Sequence, residues 1–303
     1  MTQSWLGIDI GGTSTRFQIM DSDRQWQGFH KIATSSWATT DDALSALARL
    51  IQDAVKQQDI HGVMLGLPGI LSRDRSQVLS LPFIQALDHQ PIAQLLSEKI
   101  GIPVAMDKDV NHLMLWDLMQ MAQLPDNAVG IYPGTGLGNS LWLNGQFYHG
   151  QHGSSGELGH IPLVYAASPE QPLPCPCGNL GCVETVTSGH WLSSWARRMA
   201  PETAISALFS QHQAHPDLQA FVRRLAQVIA IEMNILDPQY LILGGGVLGM
   251  ADFPLSQLHQ QIIQYLRPPA TRNELQIIFS NATDYTGCRG ACYAAERHFR
   301  RAL

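Results

Sequence analysis

The stretch of the chain most suited to chemistry is residues 157–184, which holds one histidine and three of the five cysteines. The cysteines follow a Cys-x-Cys-x4-Cys spacing, so three soft thiolates are close together, and the upstream histidine can supply a fourth ligand. Such a set satisfies a closed tetrahedral zinc site, in which the metal is structural. The predicted zinc ligands are His160, Cys175, Cys177 and Cys182.

The alternatives to zinc are a disulfide or inert buried thiols. Residues 1–4 lack the basic region of a secretory signal peptide, and Asp9 interrupts the first apolar run, so we expect a cytoplasmic protein. Thiols stay reduced in that compartment, and clustered cysteines there indicate a metal. Cys288 and Cys292 lie four residues apart in a predicted helix, and we expect them to be small core residues.

Two carboxylates, Glu157 and Glu184, flank the predicted zinc ligands. Tetrahedral zinc needs neither of them, because the histidine and the cysteines already supply four ligands. Both are therefore free to hold a polar molecule, and the pattern suggests a wall built for a hydroxyl-rich ligand.

Three glycine-rich turns follow predicted strands and are candidates for holding a nucleotide. Glycine allows backbone N–H groups to approach a phosphate without a Cβ in the way. None of the turns matches the P-loop or the Rossmann fingerprint, so each alone is equally well an ordinary hairpin turn. Asp9, at the end of the first strand, is placed to orient a phosphate-bound Mg²⁺, and the third turn is a candidate seat for adenine. The turns contain Gly11, Gly12 and Thr13; Gly134, Thr135, Gly136 and Gly138; and Gly244, Gly245 and Gly246.

A candidate general base follows the predicted strand 103–106, in the run Asp-Lys-Asp-Val-Asn at 107–111. Ligands of α/β sheets bind at strand ends. A carboxylate there can take the proton of a hydroxyl group during phosphoryl transfer. The alternative is a solvated turn or a helix cap, because Asp and Asn are common in both.

The elements that must position these groups form two similar halves. Each half begins with two strands joined by a glycine turn and continues with helices and further strands. Together with a length of 303 residues, this weak duplication predicts two α/β lobes with a cleft between them. Predicted strands are 5–10, 15–20, 62–67, 103–106, 128–132, 140–143 and 240–243, and predicted helices are 41–58, 91–100 and 221–236.

Composition limits the classes of partner. A net charge of −6 argues against nucleic acid as the main partner. The sequence has no run of 18 apolar residues, so no transmembrane helix is expected. A hydrophobic content of 45% is enough for sizeable cores.

Taken together, these motifs resemble those of the ROK family of sugar kinases, over nearly the whole chain and in the family's order. The family has the actin-like ATPase (ribonuclease H-like) fold, so the resemblance implies an α/β protein of that fold. Residues 9–13 and 134–138 resemble its phosphate motifs, 66–69 its substrate-loop turn, 107–111 its catalytic motif, and 156–160 with 175–184 its sugar and zinc signature.

The resemblance implies an ATP-dependent transfer of a phosphoryl group to the 6-hydroxyl of a hexose. It makes Asp109 the base and places Asp9 with Mg²⁺ at the phosphates of ATP. Zinc is structural, and the family is often dimeric, so a homodimer is possible. The residues implied to bind the sugar are Gly69, Lys108, Asp109, Glu157, His160 and Glu184.

The acceptor sugar is less defined, because the chain departs from the family pattern at Lys108, where an Asn is usual, and lacks the Asn often found before the substrate-loop proline. Further details resemble the family members that phosphorylate D-allose, which is the expected acceptor. The alternatives are N-acetylmannosamine, N-acetylglucosamine, glucose and fructose. These details lie at 109–111, 116–117, 141–145 and 159–163.

An alternative of another class is a sugar-responsive repressor of the same family. Such a repressor would have to lack its DNA-binding module, because residues 1–4 leave no room for a helix-turn-helix before the first strand. The expected lobes are a small one, 1–118 plus 288–303, and a large one, 119–287, that contains the zinc loop.

Overall fold

The computed structural model describes residues 3–56, 58–162 and 172–300. The chain forms two compact units. Unit 1 consists of Met1–Leu124, His149–Ser155 and Ala282–Leu303, and unit 2 consists of Pro125–Tyr148 and Gly156–Asn281. The expected lobe boundaries at 118 and 288 therefore differ from those of the units, and the packing of His149–Ser155 with unit 1 was not predicted. Leu163, in the last of the family-like details, and residues 301–303 of the expected small lobe lie outside the described residues.

Unit 1 is built on a five-stranded mixed sheet. Its central strands are apolar runs buried on both faces, as expected for strands covered by helices. The order is β3-β2-β1-β4-β7. Strand β2 is antiparallel to both β1 and β3, whereas β4 and β7 run parallel to β1. The strands are β1 Ser4–Ile10, β2 Ser14–Asp21, β3 Trp26–Ala33, β4 Ile60–Leu67 and β7 Val104–Lys108, and a separate hairpin pairs β5 Ile70–Leu71 with β6 Val78–Ser80.

Four helices of unit 1 precede the first strand of unit 2. The second of them begins after Asp42, whose side chain accepts a hydrogen bond from the Ser45 backbone N–H, so the cap is Asp42 and the helix is shorter than predicted. Its apolar face joins a core with β1, β4 and the hairpin. The helices are α1 Ser35–Ala38, α2 Ala43–Ala54, α3 Ile92–Ile100 and α4 Asp109–Leu118.

Unit 2 repeats the sheet topology of unit 1, with order β10-β9-β8-β11-β12 and a parallel β8-β11-β12 half. Its core lies between this sheet and a 21-residue helix, α8, which begins at Pro216 rather than at the predicted Phe221 because proline suits the first turn of a helix. The elements are β8 Ala128–Pro133, β9 Leu137–Leu143, β10 Gln146–Phe147, α5 Glu184–Thr187, α6 Gly189–Met199, α7 Leu208–His212, α8 Pro216–Leu236, β11 Tyr240–Leu243, α9 Leu255–Tyr265, α10 Ala270–Glu274 and β12 Gln276–Phe279.

The last described helix, α11 Thr286–Arg300, returns to unit 1 and packs against β1, β4 and α4. Cys288 and Cys292 are both fully buried on this helix, as predicted. Within the described ranges, no helix is long and apolar enough to cross a membrane.

Candidate functional site

Unit 1 brings two predicted carboxylates to the same edge of its sheet. Asp9 is at the carboxyl end of β1, and Asp109 is the first residue of α4, directly after the parallel strand β7. The two carboxylates influence each other: the pKa of Asp9 is raised to about 7, chiefly by burial and also by the charge of Asp109, while the charge of Arg16 opposes the shift. The Asp109 carboxylate accepts a hydrogen bond of 2.8 Å from the Val110 N–H.

The surroundings of Asp9 explain how it is held. Arg16 Nη1, on the neighbouring strand β2, lies 3.6 Å from Asp9 Oδ2, and Arg16 Nη2 contacts Asp284 at 3.2 Å. Lys31 Nζ contacts the other Asp284 oxygen at 2.7 Å. A Cβ added at Gly287 would lie 2.5 Å from Asp9 Cγ, so α11 approaches the carboxylate closely.

The strand end that carries Asp109 is fixed by hydrogen bonds to Asp107. Asp107 Oδ1 accepts from the Lys108 N–H at 2.8 Å, and Asp107 Oδ2 accepts from Asn111 Nδ2 at 3.0 Å. Lys108 is only 8% exposed, and its Nζ donates to the Ser155 carbonyl at 3.2 Å. Lys108 is therefore a buried residue, unlike most lysines.

The first glycine turn and Gly69 also lie in unit 1. Gly11 N–H bonds the Ser14 carbonyl, which closes the β1–β2 hairpin over Gly12 and Thr13. A Cβ at Gly69 would lie 2.2 Å from the Ser80 carbonyl oxygen, so the β5–β6 hairpin itself requires this glycine.

In unit 2, the four predicted zinc ligands converge, and their ligand atoms all lie within 4.8 Å of one another. Cys175 Sγ is 3.5 Å from His160 Nδ1, and Cys177 Sγ is 3.6 Å from Cys182 Sγ. Ligand atoms of a zinc tetrahedron with bonds of about 2.3 Å lie about 3.8 Å apart, so this set fits the metal. Gly178, with a φ of +95°, allows the tight turn between the cysteines.

The surroundings of the three thiols shift their pKa values in different directions. Burial raises the pKa of Cys175 and of Cys182, which opposes ionisation of these thiols in the absence of a cation. The pKa of Cys177 is lowered, chiefly by a hydrogen bond from the Asn179 backbone. A bound zinc would stabilise all three as thiolates.

Two carboxylates lie on either side of His160. Its Nε2 is 3.7 Å from Glu157 Oε2, and its Nδ1 is 3.8 Å from Glu184 Oε1. Because Nδ1 also faces Cys175, one nitrogen of the ring faces the cysteines and the other faces Glu157. The predicted wall of carboxylates and histidine is therefore assembled within unit 2.

The second and third glycine turns also lie in unit 2. The second turn, Gly134–Gly138, is closed by a hydrogen bond from Gly134 N–H to the Gly136 carbonyl, and the Thr135 backbone carbonyl accepts from the His190 N–H. In the third turn, Gly245 has a φ of +90°, and an added Cβ would lie 2.6 Å from the Pro133 carbonyl oxygen. A Cβ added at Gly244 would lie 2.8 Å from Tyr132 Cδ1. A Cβ at Gly246 would meet nothing within 4 Å, so Gly246 has open space in front of it.

Two residues of unit 1 were not predicted to take part in the site: Arg75, which contacts Asp107, and His149, which contacts Arg75. Arg75 lies in an ordinary polar turn, so no local pattern marks its importance. Among the residues predicted to bind a sugar or ATP, Asp9, Gly11, Gly12, Thr13, Gly69, Lys108 and Asp109 lie in unit 1, and Gly134, Thr135, Gly136, Gly138, Glu157, His160, Glu184, Gly244, Gly245 and Gly246 lie in unit 2.

The known proteins to which this chain is similar include several sugar kinases. The chain is 31% identical over 257 residues to an N-acetyl-D-glucosamine kinase of Pasteurella multocida, covering 80% of this chain and 83% of the relative. It is 28% identical to a glucokinase of Halalkalibacterium halodurans, covering 88% of each. The structure is similar to that of a ROK family glucokinase from Streptomyces griseus in complex with glucose and AMPPNP, with a TM-score of 0.80, 24% identity, and coverage of 97% of this chain and 99% of the other.

These similarities define an ATP-dependent carbohydrate kinase with the actin-like ATPase fold. The ROK family model matches residues 5–298, and the chain belongs to the ROK family. Within it, the protein is a kinase of hexoses or hexosamines.

Proposed function

We propose that this kinase transfers the γ-phosphoryl group of ATP to the 6-hydroxyl of its sugar, with Asp109 as the general base. The observation that carries the proposal is the pairing of Asp9 and Asp109 at the ends of parallel strands in unit 1. Phosphoryl transfer uses one carboxylate near the metal and another that accepts the hydroxyl proton. Asp109 lies in the first turn of α4, where the helix dipole favours its ionised form.

Asp9 would hold Mg²⁺ together with water, and the glycine turns would supply N–H groups to the phosphates. The raised pKa of Asp9 supports this assignment, because a divalent cation would stabilise a carboxylate whose ionised form is disfavoured by burial and by the charge of Asp109. Mg²⁺ supplies charge stabilisation for the transferred group when it is bound. The adenine would lie at the third glycine turn, where Gly246 leaves open space.

Glu157, His160 and Glu184 would orient the sugar, and zinc would hold His160 by Nδ1. The arrangement supports a structural zinc, since four protein ligands leave no open position. His160 Nε2 then remains available for a sugar hydroxyl beside Glu157. Gly69 would contribute through the shape of its turn.

The acceptor that we propose is D-allose. Lys108 stands where the family has an Asn, is buried, and offers only hydrogen-bond donors. Allose differs from glucose only at C3, and a site whose buried polar groups match one epimer leaves groups unpaired with the other. The names of the relatives favour a second candidate, N-acetylglucosamine or glucose. Their kinase activity argues against the repressor alternative.

The test is to measure kcat/KM with ATP for D-allose, D-glucose, N-acetylglucosamine, N-acetylmannosamine and fructose. We expect D-allose to give the highest value and Lys108→Asn to narrow the gap to glucose, while the exposed Lys99→Asn leaves the ratios unchanged. If another sugar is preferred by the wild type, D-allose is wrong. If Lys108→Asn matches Lys99→Asn, the role of Lys108 is wrong even though the kinase assignment stands. The homodimer stays a prediction, which light scattering measures.

A further inference from the structure

The segment His149–Ser155, which we call the strap, packs with unit 1 although the chain on both sides of it belongs to unit 2. Gly153 has a φ of +78°, and an added Cβ would lie 2.3 Å from the Leu71 carbonyl oxygen. The backbone of the strap therefore lies directly against the β5–β6 hairpin, with no room for a side chain between them.

One side chain of that hairpin, Arg75, ties the strap to the strand end before Asp109. Its Nη1 donates to the Gly153 carbonyl at 3.1 Å, and its Nη2 donates to His149 Nδ1. Its Nε lies 3.0 Å from Asp107 Oδ1, and the side chain is only 12% exposed. Burial lowers the pKa of His149, so the neutral ring accepts this hydrogen bond at Nδ1.

Through Asp107, the contacts of Arg75 reach residues that precede and follow Asp109. Asp107 bonds both the Lys108 N–H and the Asn111 side chain, which lie on either side of the base in the chain. Lys108 then reaches back to the strap through the Ser155 carbonyl. The result is a closed ring of polar contacts from Arg75 through Asp107 and Lys108 to the strap.

We propose that Arg75 is a positioning residue for the acceptor sugar, which sets sugar affinity and epimer discrimination by fixing Lys108 and the strap. The inference rests on the proposed function, in which Lys108 and Asp109 serve the acceptor. A planar guanidinium can hold three partners in fixed directions, which an ammonium cannot do. Arg75 contacts Asp107, His149 and Gly153 rather than Asp9, so its effect should be on the sugar rather than on ATP.

The test compares Arg75→Met, Arg75→Lys and the control Arg73→Met, whose arginine is exposed on the same hairpin and contacts the strap through the exposed Gln151 side chain, a surface contact that we expect to contribute little. For Arg75→Met we expect the KM for sugar to rise at least tenfold, with the KM for ATP and kcat changed less than about threefold. Arg75→Lys should recover part of the loss because it keeps the charge beside Asp107. Arg73→Met should behave as the wild type.

A double-mutant cycle of Arg75→Met with Asp107→Asn provides a second readout. Because the two residues act through one contact, their effects on sugar KM should be clearly less than additive. Additive effects, or equal losses in the KM values for sugar and ATP, would overturn the inference. So would an Arg75→Met enzyme with wild-type sugar KM and epimer ratio.

Calorimetric binding of D-allose, D-glucose and N-acetylglucosamine without ATP separates this inference from the proposed chemistry. Sugar affinity in that experiment does not depend on Asp109 acting as a base. A weakened affinity in Arg75→Met supports the positioning role even if Asp109→Asn retains activity, in which case only the base assignment fails. Unchanged affinity for every sugar that binds the wild type contradicts the positioning role, and Arg75→Lys gives the same comparison if Arg75→Met does not fold.

Discussion

The Glu184 carboxylate occupies the space that a side chain at position 136 would need, since a Cβ added to Gly136 would lie 2.9 Å from Glu184 Oε2. The other oxygen, Oε1, is 3.3 Å from Cys175 Sγ. One carboxylate therefore contacts both the second glycine turn and the cluster of predicted zinc ligands within unit 2. Glu184, which is predicted to bind the sugar, therefore also limits the geometry of the second glycine turn, which is predicted to bind phosphate.

The first prediction follows from this contact. In Gly136→Ala, the added methyl group must displace the Glu184 carboxylate or the turn, which changes the geometry of the proposed phosphate site. We expect the KM for ATP to rise about tenfold. Gly134→Ala, where the nearest contact of the new Cβ would be at 4.0 Å, should raise it less. Steady-state kinetics with varied ATP checks the order, and a larger effect at position 134 would contradict it.

The second prediction concerns the metal. Purified protein should contain one zinc per chain by elemental analysis, and Cys177→Ser should lose it. Because His160 would then lack its anchor, we expect the KM for sugar to rise more than the KM for ATP. Cys288→Ser, which changes a buried cysteine of α11 in unit 1, is the matched control and should retain zinc. Wild-type protein that is fully active without zinc would show the assignment to be wrong.

The third prediction concerns the base. Asp109→Asn keeps the shape of the side chain but removes the proton acceptor, so kcat should fall by about 10² to 10⁴. Binding of ATP, measured directly, should change little because the proposed role of Asp109 is toward the hydroxyl proton of the sugar rather than the phosphates. Asp53→Asn, on the exposed surface of α2, should leave kcat unchanged. Near-normal turnover by Asp109→Asn would exclude it from this role.

The fourth prediction concerns Glu232 on α8, which is 9% exposed and accepts a hydrogen bond from Asn139 Nδ2 at 3.0 Å. Burial raises its pKa from 4.5 to about 7, with the Asn139 bond opposing the shift. The folded state therefore holds its proton more tightly than the unfolded state, so stability falls as pH rises from about 4.5 to about 7. The loss is up to about 3 kcal/mol.

Glu232→Gln removes this titration while keeping the shape of the side chain. We expect the variant to be more stable than the wild type at pH 8 and equal to it at pH 4. Urea unfolding at the two pH values measures the difference. Glu274→Gln, on an exposed position of α10, should show no such dependence on pH.

The convergence of His160 with the three cysteines and the positions of the glycine hairpins were predictable because each depends on a short pattern of residue types. Arg75 was not, because its turn has the composition of any exposed loop, and its burial depends on packing against a strap far along the chain. The assignment of the strap to unit 1 was not predictable either, because it depends on the same long-range packing. The start of α8 was missed although Pro216 is a local signal, because the apolar periodicity becomes continuous only later.

The position of α11 has a consequence for the newly made chain. A Cβ at Gly7 would lie 2.0 Å from the Cys288 carbonyl oxygen, so β1 and α11 fit together with almost no space between them. During synthesis, residues 125–281 leave the ribosome before α11 does, so unit 2 can fold while the first strand made still lacks the helix that covers it. For unit 1, the order of translation is thus the reverse of what early folding would need, and we expect its sheet to depend on chaperones until α11 emerges.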